Sequence, residues 1–116
     1  MIGCVHVDVY HLHVGVFDSE KSRIKFLRKK GVKDLMRVSE SAFASAHMDH
    51  GGGTTWFSVV MKPRATLATL AHECSHMADF IVHHLGIPLT VECTEVRAYL
   101  VGFLFGEVQK IIGERA

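Results

Sequence analysis

"TLATLAHECSHMADFIVHHLG", residues 66–86, is the stretch around which the chain organises itself. Its apolar spacing predicts a helix over residues 66–85, closed by Gly86 and Pro88. At about 100° per residue, Leu67, Leu70, Ala71, Cys74, Ala78, Ile81 and Leu85 form one stripe, the expected core face. His72, His76, Asp79 and His83 fall within roughly 60° of one another on the side away from that stripe. Residues 72–76 therefore carry the order H-E-x-x-H on an exposed helix face. Two imidazoles at i and i+4 can hold one metal ion from a single helix. Glu73 sits beside them, where its carboxylate can reach a water molecule on the metal without being a ligand. The competing reading is plain: a helix needs a polar face, and histidine and glutamate supply one.

A catalytic zinc takes three protein ligands and leaves one position open. The next helix, expected over residues 91–112, begins "VECTEVRAYLVGFLFG". Glu92, Glu95, Tyr99, Gly102 and Gly106 share one stripe of it within roughly 80°. The two glycines suggest a face that approaches another helix closely. Glu95, nineteen positions after His76, is the leading third ligand and Glu92 the alternative. Acidic decoration of a helix N-terminus explains both carboxylates equally simply. Tyr99, one turn after Glu95, is either a donor to a substrate oxyanion or a core residue. Arg97, His47 and His50 are further oxyanion candidates. Asp79 is either a hydrogen-bond acceptor for a ligand histidine or a surface carboxylate. His83 comes one residue too late for the third histidine of a metzincin, but it is placed to line a cleft.

Before the H-E-x-x-H segment, residues 4–17 alternate Val5, Val7 and Val9 against His6, Asp8 and Tyr10, a strand pattern. "DSEKSRIKFLRKKG" reads as a short helix capped by Asp18 or Ser19 and stopped by Gly31. Residues 41–48 and 54–61 read as two strands around the hairpin loop "DHGGG". The second of these is the expected open edge, with Trp56 and Phe57 on opposite faces. Strands and helices in this order make an α+β domain: a small, mostly antiparallel sheet packed on the H-E-x-x-H helix and a C-terminal helix.

The 116 residues suit one domain, and 48% hydrophobic content suits a packed core. A net charge of +1, with no aromatic-studded basic patch, gives nucleic-acid binding no support. Cys4, Cys74 and Cys93 are odd in number and widely spaced, which argues against a disulfide framework and for a reducing compartment. The N-terminus lacks the pattern of a signal peptide and no apolar run is long enough to cross a bilayer. A soluble, cytoplasmic chain that does not engage a membrane is therefore expected. Phe103, Leu104, Phe105 and Val108 give the last helix much apolar surface, which leaves a homodimer open.

Residues 66–108 resemble the small gluzincin-like metallopeptidases found in bacteriophage and prophage genomes. H-E-x-x-H, the H-x-x-D of His76 to Asp79, the Leu-Gly-Ile turn and the E-V-R-A-Y-L of Glu95 to Leu100 carry the resemblance. It implies a minimal zincin-like domain spanning residues 1–116. It also implies Zn2+ held by His72, His76 and Glu95, with Glu73 as general base and a peptide or protein as substrate. Host cytoplasm is then the expected location, with virion association a further option. The other reading is a non-catalytic, zinc-stabilised phage assembly, tail or interaction module. The first 40 residues carry no resemblance of their own.

Overall fold

The computed structural model describes residues 1–35 and 42–115, the side chain of Arg115 excepted. The chain is α+β. Residues expected to form one strand form a hairpin instead: β1 (Gly3–Val7), a 3-10 turn (Asp8–Tyr10) and β2 (Leu12–Phe17). His11 closes the turn with a left-handed backbone, φ 53°, its N–H donating to the Asp8 carbonyl at 3.2 Å. α1 (Glu20–Lys29) starts at Ser19, whose Oγ accepts the Ser22 N–H at 3.1 Å.

β3 (Ala44–Gly51) and β4 (Thr54–Met61) are joined by Gly52 and Gly53, both at positive φ, the requirement of a tight two-residue hairpin. β3 starts and ends later than expected, so Asp49 and His50 belong to a strand and not to the loop. Residue 41 of the expected strand lies outside the described residues. At Gly52 a side chain would collide with the Lys30 carbonyl, so the hairpin tip sits directly against the end of α1.

The sheet order is β1-β2-β4-β3. β1 pairs antiparallel with β2, and β3 with β4, while β2 and β4 run parallel. The sheet is thus mixed. β4, expected as the open edge, is internal because it pairs on both sides; β3 is an edge.

α2 (Leu67–His84) and α3 (Thr94–Arg115), the latter preceded by a 3-10 turn (Val91–Cys93), cover one face of the sheet. Val5, Val7, Val14, Val16, Phe57, Val59 and Met61 project from the strands into this core. Leu70, Cys74, Met77, Ala78, Ile81 and Val82 of α2 meet them, with Leu100, Leu104 and Val108 of α3. The buried face of α2 is rotated slightly from the expected stripe: Met77 and Val82 join it, while Leu67 and Ala71 are exposed. α3 presses closely on β1, since a Cβ on Gly3 would stand 2.6 Å from Ile111.

α1 covers the opposite face. Arg23, wholly buried, donates from Nη1 to Asp49 Oδ2 on β3 at 2.9 Å and from Nη2 to Glu20 Oε1 at 2.7 Å. Phe26 packs edge-on against Trp56 and tilted against Phe17. Trp56 and Phe57 do lie on opposite faces; Phe57 is buried and Trp56 half-buried. No helix among the described residues is long and apolar enough to cross a membrane.

Candidate metal centre

Thr66 begins α2, its Oγ1 accepting the Thr69 N–H at 3.1 Å, and this start sets the phase of every later residue. His72 and His76 then fall on the outer ridge, both exposed. Their side chains converge. The two Nε2 atoms stand 3.0 Å apart and the ring planes lie at 80°. Two nitrogens each about 2.0–2.1 Å from a common zinc would be separated by a similar distance. The pair therefore fits two adjacent ligands of one ion. It is also a good neutral hydrogen bond between imidazoles. Glu73 is half-buried on the flank of the same ridge.

Arg97, not Glu95, is the α3 residue turned toward α2. Its Nε donates to Asp79 Oδ1 at 2.6 Å, and an Nη2 hydrogen bond reaches the Ser75 hydroxyl. The Asp79 hydrogen bond is the leading cause that raises the Arg97 pKa above the ordinary value, and partial burial opposes it. Asp79 is thus a surface carboxylate, 42% exposed, that ties the two helices together through Arg97. Arg97 is correspondingly engaged away from any oxyanion role.

Glu95 precedes Arg97 by two positions, roughly 200° around the helix. It is exposed, as are Tyr99, Gly102 and Gly106. A Cβ on either glycine would meet nothing within 4 Å. The expectation that this stripe packs on another helix is therefore corrected: it faces away from the core. Tyr99 is not a core tyrosine but stacks on Phe103, with 5.8 Å between ring centroids. Among the described residues, no third Cys, His, Asp or Glu brings a ligand atom within 4.8 Å of both histidine nitrogens. Glu92 accepts hydrogen bonds from its own backbone N–H and from Thr90, which hold its pKa below the usual carboxylate value.

The remaining histidine candidates are scattered. His47 lies in β3 on the face covered by α1, buried, with Nε2 2.7 Å from Ser45 Oγ. The sheet separates it from α2. His50 meets Thr55 Oγ1 at 3.0 Å. His83 is exposed on α2, and His84 packs edge-on against Phe57.

One cluster escaped the sequence reading. The β1–β2 hairpin sets His6 directly opposite His13, and Cys4 one pleat away on the same face. A ligand atom from each of these three lies within 4.8 Å of the other two. A single strand over residues 4–17 would put positions 6 and 13 on opposite faces. The available signal was a parity switch, from buried odd positions 5 and 7 to apolar even positions 12, 14 and 16, which requires a turn between them.

Comparison of the chain with protein families, with curated proteins and with solved structures gave no match.

Proposed function

We propose that the chain is a zinc-dependent hydrolase acting on peptide bonds, with its centre on the outer ridge of α2. The observation that carries this reading is the 3.0 Å approach of the His72 and His76 Nε2 atoms, with Glu73 on the neighbouring helix position. His72 and His76 would hold the ion; Glu95 on the first turn of α3 faces outward here and would have to swing toward the two imidazoles to serve as the proposed third ligand. A bound zinc supplies a Lewis acid that polarises a carbonyl and acidifies water.

The chain's own groups do the rest. Glu73 accepts a proton at its carboxylate and returns it to the departing amine nitrogen. Tyr99 presents an exposed phenol to the substrate oxygen that gains charge. A peptide backbone is recognised by adding a strand to the edge of β3, which lies on the outside of the sheet order.

The absence of a third ligand atom within 4.8 Å of both imidazoles among the described residues favours a second reading, an interaction module without turnover. Glu73→Gln separates the two. Hydrolysis of a denatured protein substrate, with zinc retained, should fall by at least about a hundredfold in this variant. Zinc binding with no hydrolysis in the unaltered chain would leave the module.

A further inference from the structure

On the sheet face away from α2 and α3, the β1–β2 hairpin presents Cys4, His6 and His13 together. The rings of His6 and His13 stand edge-to-face, 4.5 Å between centroids. Cys4 pairs with Gly15, one pleat along from the histidines. The whole thickness of the sheet separates this cluster from His72 and His76.

We propose that Cys4, His6 and His13 form a second metal site, built for a thiolate-tolerant transition-metal ion, with zinc the ion its donors suit best.

Three features support the site. First, it offers three donors, one sulfur and two imidazole nitrogens, a mixture that suits zinc and is foreign to calcium and magnesium. Second, the donors come from two paired strands, whose backbone hydrogen bonds fix their spacing; the His72–His76 pair comes from one helix ridge. Third, open space that a further ligand could occupy adjoins Cys4 and His13. Gly15 stands between Cys4 on β1 and Ser58 on β4, in register with both. A cavity of about 160 Å³ opens here, lined by Cys4, His13, Trp56 and Ser58 among others.

Ser58 is 1% exposed, and its Oγ has no hydrogen-bond partner among the described residues. A buried hydroxyl without a partner is uncommon and calls for one. A water molecule or a small ligand in this cavity would satisfy it.

Cobalt(II) titration of the chelator-treated full chain tests the proposal, because a cobalt–thiolate bond gives near-ultraviolet charge transfer that cobalt–imidazole bonds do not. The site requires such a band, and in the His72→Ala/His76→Ala chain it should saturate at about one cobalt per chain. It should vanish in Cys4→Ser and persist in Cys93→Ser and in His72→Ala/His76→Ala. His6→Gln and His13→Gln, both at exposed positions, should weaken binding by at least about tenfold. Circular dichroism should show the fold unchanged in each. No band, a band that survives Cys4→Ser, or affinity indifferent to both histidines overturns the site. Loss of the band on removing His72 and His76 overturns it too. The outcome is independent of hydrolysis, which the α2 ridge would govern.

Discussion

Arg97 Nε donates to Asp79 Oδ1 at 2.6 Å, tying the first turns of α3 to the middle of α2. The pair lies on the face of α3 that meets α2, with Glu95 outward. The two side chains are 35% and 42% exposed. The ion pair is therefore of the weak, solvent-screened kind, supplemented by the Ser75 hydrogen bond. Arg97→Ala should lower unfolding free energy by about 1 kcal/mol in urea titration. Arg97→Lys should recover only part of it, since Lys cannot present a fork to Asp79 and Ser75 together.

The Arg23–Asp49 pair is different because water is excluded: Arg23 is 0% and Asp49 7% exposed. Removing one partner leaves a buried charge without its counter-ion. Arg23→Met should cost about 3–5 kcal/mol by chemical denaturation. Arg23→Met combined with Asp49→Leu should be more stable than Arg23→Met alone, since the buried Asp49 carboxylate is then gone and only the less buried Glu20 has lost the guanidinium.

His47 sits in the same layer, with Glu20 and Arg23 facing it from α1 and Asp49 beside it on β3. Burial first, and the Arg23 charge second, push its pKa below the ordinary 6.5; Glu20 and Asp49 oppose this. The folded chain therefore refuses a proton that the unfolded chain accepts. The contribution is fully present above 6.5 and is lost as pH falls below it toward the lowered folded value. Unfolding free energy should drop on going from about pH 7.5 to about pH 5.5, by at most ~1.4 kcal/mol per pH unit from this group. His47→Gln should flatten that slope.

Cys74 projects from α2 into the core and is fully buried. Burial, with the Glu73 charge adding, pushes its thiol up to about 11. Near neutral pH it is protonated and shielded, so it should resist iodoacetamide in the native chain and react once urea unfolds it. Half-buried Cys93 should react in the native state. Peptide mapping of the alkylated sites reads out both.

Much of this arrangement was legible from residues alone, and the rest failed for identifiable reasons. α2 was readable because Thr66 caps it, Gly86 ends it and its apolar residues repeat at helical spacing. Convergence of His72 and His76 followed from that period. The β1–β2 hairpin was missed because its turn, Asp8–Tyr10, contains no Gly or Pro; only the change of parity from Val5 and Val7 to Leu12, Val14 and Val16 betrays it. With it went the meeting of Cys4, His6 and His13. The pairing of β2 with β4 is a long-range choice that no local pattern states. On α3, the glycines mark the stripe of Glu95, Tyr99, Gly102 and Gly106 as a contact face in the sequence. Leu100, Leu104 and Val108, nearly opposite, carry more apolar area and take the core instead.

Zinc content of the Cys4→Ser chain, before and after His76→Ala, tests most directly whether the α2 ridge is a metal centre. The Cys4 change removes the hairpin cluster from the measurement. About one zinc per chain should then remain, fall to none with His76→Ala, and bind at least about tenfold more weakly with Glu95→Ala. A Cys4→Ser chain that holds no zinc, or zinc that persists without His76, would contradict the assignment of His72 and His76 as ligands and with it the hydrolase built on them.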